Sequence, residues 1–153
     1  MKISGKAKKI FLWSGIIIFI CAAVFFILDK KRMEIFNQVC FNGQCLEVEV
    51  ASTPKDRERG LMFRENLERN KGMLFIFENE GIYGFWMQNT LIPLDIIWIN
   101  EDKEVVFIKN NALPCTENLC PSIIPDKKAK YVLEINAGIS QEIGIATGSQ
   151  AVF

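Results

Sequence analysis

The sequence predicts a mainly β domain, a β-sandwich or partly closed β-barrel with one or two short helices, preceded by one N-terminal transmembrane helix. Three observations carry that expectation. Short apolar segments separated by turn residues recur from Asn37 to the end. Only one stretch, beginning at Ser52, carries a full set of helix-start signals. Residues 10–28 run for nineteen positions without a charge.

The apolar run, IFLWSGIIIFICAAVFFIL, has about the ~20 residues that cross a ~30 Å hydrocarbon core as a helix. Lys2, Lys6, Lys8 and Lys9 precede it with no acid among them. A cleaved signal peptide is the rival reading, with an apolar region of about 7–15 residues ending at a small-residue site. Cutting near Cys21-Ala22-Ala23 would leave Val24 to Leu28 as an exposed apolar start. An uncleaved signal anchor is therefore expected. Lys30, Lys31 and Arg32 follow the span, so the positive-inside bias is weak. The cysteines break the tie: Cys40-x4-Cys45 and Cys115-x4-Cys120 are two local pairs, which suits an oxidising compartment. The expected organisation is a basic cytoplasmic N-terminus (1–9), a single-pass anchor in the cytoplasmic (inner) membrane (10–28), a linker (29–36) and an extracytoplasmic β domain (37–153) facing the periplasm or cell exterior.

Within that domain, Asn37 to Val50 reads as a β-hairpin. Asn42-Gly43 is the favoured type I′ turn dipeptide, and Leu46, Val48 and Val50 alternate with Glu47 and Glu49. That turn sets Cys40 opposite Cys45 as a non-hydrogen-bonded pair, whose ~4.5 Å Cα separation lies just within disulfide range. Ser52-Thr53-Pro54-Lys55-Asp56 supplies a hydroxyl N-cap, proline at the first helical position and an acid in the first turn. Gly60 ends or bends that helix. Strands are expected at 73–77, 83–87, 95–99, 105–108, 131–135 and 151–153. The turn Asn100 to Lys103 joins two of them, and a long loop covers 110–129. A short helical segment is expected near Ser140-Gln-Glu-Ile143.

Composition excludes several chemistries. The chain has no histidine, which removes Ser-His-Asp and Cys-His nucleophile activation and the commonest zinc ligand. Its net charge is zero, but residues 34–153 hold eleven Lys/Arg against seventeen Asp/Glu, a balance of −6. That sign argues against nucleic acid as a partner of the domain. A tetrathiolate zinc site from Cys40, Cys45, Cys115 and Cys120 is the alternative to two disulfides. It would need pairs about 70 residues apart to converge, so disulfides are preferred and no metal is assigned. Met62, Met73 and Met87 could together suit Cu(I), though thioethers near aromatic rings are ordinary core filling.

The stretch FWMQNTLIPLDIIWIN (85–100) places Asn89, Thr90 and one carboxylate, Asp95, among large apolar residues. Buried polar groups cost free energy unless partnered, and an unpaired buried charge costs far more. Asn89 and Thr90 precede Pro93, where short polar side chains close turns by bonding local backbone. Alternatively they line a pocket with Trp86 as its aromatic wall. Asp95 and Glu134, each inside an apolar strand, are either structural acceptors or an acid and base pair in one cleft.

Four blocks in order, Gly60-Leu-Met-x-Arg64, Gly72-Met-Leu-Phe-x-Phe77, Phe85-Trp-Met-x-Asn89-Thr90-x-x-Pro93-Leu-Asp95-Ile96 and Tyr131-Val-Leu-Glu134-x-Asn-Ala-Gly138, resemble the prokaryotic family called domain of unknown function 192. The resemblance covers about residues 45–153. It implies a compact, mainly β, often exported domain and brings no established activity, cofactor or catalytic residue. The motif positions Arg64, Trp86, Met87, Asn89, Thr90, Asp95 and Glu134 become the candidate ligand-binding residues. A binding or accessory module for a small polar ligand or an envelope partner is the leading expectation. A hydrolase using Asp95 and Glu134 and a Cu(I)-binding methionine site are the alternatives.

Overall fold

The computed structural model describes residues 37–115 and 119–153. The expected basic N-terminus, transmembrane span and linker fall outside the described residues, among which no helix is long and apolar enough to cross a membrane.

Six strands and two short helices follow in the order β1 (Gln38–Phe41), β2 (Gln44–Ala51), α1 (Pro54–Arg59), β3 (Lys71–Gly81), β4 (Leu94–Ile99), β5 (Val105–Ala112), β6 (Ala129–Asn136) and α2 (Ile139–Glu142). The hairpin forms as its sequence requires. Asn42 and Gly43 take φ of 52° and 81°, the left-handed pair a type I′ turn demands, and Cys40 pairs with Cys45. Their Cα atoms stand 4.0 Å apart and the sulfurs are joined. Cys115 and Cys120 form the second disulfide, so no tetrathiolate site exists. Helix α1 also starts and stops where expected. Thr53 accepts a bond from the Asp56 amide, Pro54 occupies the first turn, and Gly60 ends the helix at φ 47°.

The strands do not form a sandwich or barrel. They hydrogen-bond into one open six-stranded sheet of order β1-β2-β3-β6-β4-β5. The β2–β3 pair is parallel, with α1 lying in the connection, and the other pairs are antiparallel. Loops and helices, not a second sheet, cover the two faces. On one face Leu74, Ile97, Ile99, Leu133 and Ile135 pack against Ile139, Ile143 and Ile145 from α2 and the tail. On the other, Met73, Phe75, Leu94, Ile96, Trp98 and Val132 pack against Leu61, Phe85 and Met87. Coverage of both faces explains β4, where every residue of LDIIWI is buried.

Two expected strands are not regular strands. In the segment 83–87 only Phe85 bridges, to Ile123, through backbone bonds of 3.0 and 2.6 Å. Its alternation is nonetheless real. Phe85 and Met87 point into the core while Gly84 and Trp86 face outward, because the segment lies flat across the sheet face. Trp98 fastens it there by donating its indole N–H to the Tyr83 carbonyl at 2.8 Å. Within 151–153 the bridging residue is Val152, which exchanges two 3.0 Å bonds with Cys40.

Candidate functional site

Asp95 is fully buried, and its partners are all within the fold. Oδ1 accepts the Asn111 amide at 2.9 Å. Oδ2 accepts the Gly138 amide at 2.9 Å, the Ser140 amide at 3.0 Å and the Ser140 hydroxyl at 2.6 Å. These contacts do two structural jobs. Opposite Asp95, β5 carries an extra residue between Ala112 and Lys109, and the Asn111 bond holds that bulge. Helix α2 begins at Gly138, which has no side chain to cap its amides, and the Asp95 carboxylate caps them from β4. Asp95 is thus an internal acceptor.

Register separates Asp95 from Glu134. Asp95 pairs with Ile135, whereas Glu134 pairs with Ile96 and Met73. Because successive side chains point to opposite faces of a strand, the two carboxylates lie on opposite sides of the sheet. The acid and base pair expected of a hydrolase is not formed.

Glu134 faces a cavity of about 330 Å³ on the side of the sheet that carries α1. The wall is aromatic: Phe75, Phe77, Tyr83, Phe85 and Trp86. Phe77 and Tyr83 stack at 3.6 Å between centroids, and Phe75 meets Phe85 edge-on at 4.8 Å. Glu134 is only 5 % exposed and takes part in no salt bridge among the described residues. Burial alone pushes its carboxyl up from 4.5 to about 8, with no neighbouring charge or donor opposing it. The acid is therefore mainly neutral at pH 7. Gly60 keeps the space beside it open: a Cβ there would stand 3.3 Å from Phe75 Cζ and 3.9 Å from Glu134 Oε2.

Helix α1 supplies the charges near this cavity. Arg57 is fixed, donating to the Ser52 carbonyl and, at 2.9 Å, to the Ile76 carbonyl, with its guanidinium 5.0 Å from the Phe77 centroid. Glu58 and Arg59 also line the cavity and are exposed.

Of the motif residues, Trp86, Thr90 and Glu134 come together at this cavity. Arg64 does not line it; its guanidinium forms a two-pronged bridge to Glu49, at 2.7 Å on one prong, and lowers the Glu49 carboxyl. Met87 is buried in the core. Asn89 sits at a turn with φ 56°, closed by a 3.1 Å bond from the Thr90 amide to the Met87 carbonyl, and its own carbonyl accepts the Phe63 amide at 2.8 Å. Met73 is likewise core, so of the three methionines only Met62 lines the cavity, and no open three-sulfur site forms there. Among the described residues no cluster of His, Cys, Asp or Glu could hold a metal. Sequence reasoning missed Arg57, Arg59, Gly60, Phe75, Phe77 and Tyr83. The Gly60 and Phe75/Phe77 motif blocks were visible, but their convergence required the parallel β2–α1–β3 connection.

Fold and cavity together define a mainly β domain with an aromatic-walled pocket that Glu134 lines. The chain belongs to the domain of unknown function 192 family, an uncharacterized group whose family model matches residues 37–153. It is similar to a protein of unknown function from Novosphingobium aromaticivorans, at 34% identity and TM-score 0.70, covering 76% of this chain and 84% of that one. It is also similar to a protein from Sinorhizobium meliloti described as a candidate transcription regulator. There the identity is 35% and the TM-score 0.68, with 75% of this chain and 89% of that chain covered. No curated protein matches the chain.

Proposed function

We propose that the domain is a binding module for a small polar ligand, taken into the cavity beside α1. One observation carries this reading: the nearly buried Glu134, in no salt bridge among the described residues, lines a space large enough for a ligand. Burial raises the Glu134 carboxyl well above its ordinary range, and a ligand group that meets it with a hydrogen bond or an opposite charge would offset that cost. Aromatic walls with a few convergent polar groups are the usual make-up of a small-molecule site. The location proposed for this module is the outer side of the cytoplasmic membrane, supported by the nineteen uncharged residues at 10–28 and the two disulfides. A nucleic-acid partner does not fit the −6 charge of residues 34–153, so the transcription-regulator description is not carried over to this chain.

The test is a thermal-shift screen of full-length protein against small polar metabolites, followed by titration of the hits. Binding should weaken at least about tenfold in Trp86→Ala and Glu134→Gln, two substitutions that leave the sheet intact. Hits that survive both substitutions, or a screen without hits, would remove the cavity as the site.

A further inference from the structure

The cavity's charges suggest what kind of ligand it takes, an inference that rests on the binding-module reading above. At one end stands Glu134, buried on the sheet surface between Met73 and Ile96. Around it are aromatic rings, and at the exposed side is Arg59, whose side chain makes no hydrogen bond or ion pair among the described residues. Arg57, the nearer-fixed cation, is already committed to two carbonyls and the Phe77 ring.

We propose that the cavity binds a small zwitterion, its ammonium group seated inward against Glu134 among the aromatic rings and its anionic group held at the mouth by Arg59. Two physical arguments support this orientation. Aromatic faces attract ammonium ions, most strongly where water is excluded. A carboxylate surrounded by apolar rings and lacking an internal counter-charge gains most from a ligand that brings the missing cation. Every charged or titratable group lining the cavity is consistent with it. From α1, Arg57 and Arg59 outweigh Glu58, which leaves the mouth net positive for an anion. Tyr83 already donates its hydroxyl to the Asn79 carbonyl at 2.7 Å. Glu134 is the only acid in the lining contributed by the sheet.

Binding must then displace a proton. The empty site holds Glu134 mainly protonated at pH 7, and an ammonium stabilises the carboxylate, so the acid's proton leaves to solvent as the ligand enters. Affinity should accordingly rise roughly tenfold per pH unit up to about 8 and level off above it. A neutral ligand would show no such rise.

The experiment is calorimetric titration of full-length protein with glycine betaine and β-alanine as zwitterions, choline as a simple cation, and 3,3-dimethyl-1-butanol as the neutral isostere of choline. Titrations at pH 6, 7 and 8, in buffers of different ionisation enthalpy, report proton release. Expected is binding of at least one zwitterion, tighter than choline and at least tenfold tighter than the neutral alcohol, with close to one proton released at pH 7. Glu134→Gln should remove the pH dependence and weaken the zwitterion at least tenfold. Arg59→Gln should weaken the zwitterion while leaving choline unchanged. Equal or tighter binding of the neutral alcohol, without proton release, overturns the ammonium assignment yet leaves the cavity as a binding site. Failure of all four probes overturns the zwitterion assignment, and the metabolite screen then decides separately whether the cavity binds anything.

Discussion

Asp95 and Glu134 look alike in the sequence, each a lone acid inside an apolar strand, and they behave as opposites. Asp95 accepts four hydrogen bonds and ties β4 to the β5 bulge and to the start of α2. Glu134 meets a cavity and has burial as the sole influence on its titration. Paired neutral substitutions should separate these roles in denaturant unfolding. Asp95→Asn replaces one acceptor oxygen with a donor facing amide N–H groups, and should cost about 3 kcal/mol or more. Glu134→Gln should cost little near pH 4.5 and should stabilise increasingly as pH rises above it. The sign follows from the raised carboxyl. Between 4.5 and about 8 the folded protein holds a proton that the unfolded chain has released. Wild-type stability therefore falls as pH rises through that window, by about 1.4 kcal/mol per pH unit, and the slope should be absent in Glu134→Gln. A flat wild-type profile across the window would mean that Glu134 is partnered in solution.

Among the elements, the β3–β6 pair decides the site, because it sets Glu134 beside Met73 on the cavity face. Gly72 permits that pairing. A Cβ at Gly72 would stand 2.6 Å from the Glu134 carbonyl oxygen and 2.9 Å from Ile135 Cγ2, both inside the sheet where little can move. Gly72→Ala should consequently destabilise by about 1–3 kcal/mol, the usual cost of overpacking a tight core position. Its unfolding midpoint, compared with that of the wild type, checks the magnitude, and an unchanged midpoint would show that the two strands can separate. The hairpin and α1 are different in kind. Asn42-Gly43 at the turn and Thr53-Pro54 at the helix start act within a few residues, so their local sequence sufficed to place them. The 83–87 segment had the right alternation and the wrong assignment. Alternation reports which side chains face a hydrophobic surface, and it is silent on whether the backbone has ladder partners.

At the scale of the whole molecule, an open sheet covered on both faces by loops and helices replaces the expected sandwich. The clue available in the sequence was β4, where Ile96 to Ile99 run apolar without alternation, which suits a strand buried on both sides. The N-terminal apolar run raises a prediction of its own. Full-length protein should remain with the bilayer on membrane fractionation, and the four domain cysteines should resist thiol labelling without reductant. A mature protein starting at Val24, or four reactive thiols, would defeat the anchored, extracytoplasmic location.

The sequence by itself determined what depends on near neighbours along the chain. The Cys40–Cys45 hairpin, the capped helix over 54–59, the turn at Asn89 and the family blocks follow from residue types at short spacing. It also picked out Trp86, Thr90 and Glu134, which do meet at one cavity. Only the tertiary structure decided that Asp95 is an internal cap while Glu134 faces a ligand-sized space. Strand register fixes which face each residue points to, and register is set by pairing between segments some 40 residues apart. Two identical local patterns, an acid in a greasy strand, therefore acquired opposite roles from partners that no local spacing could reveal.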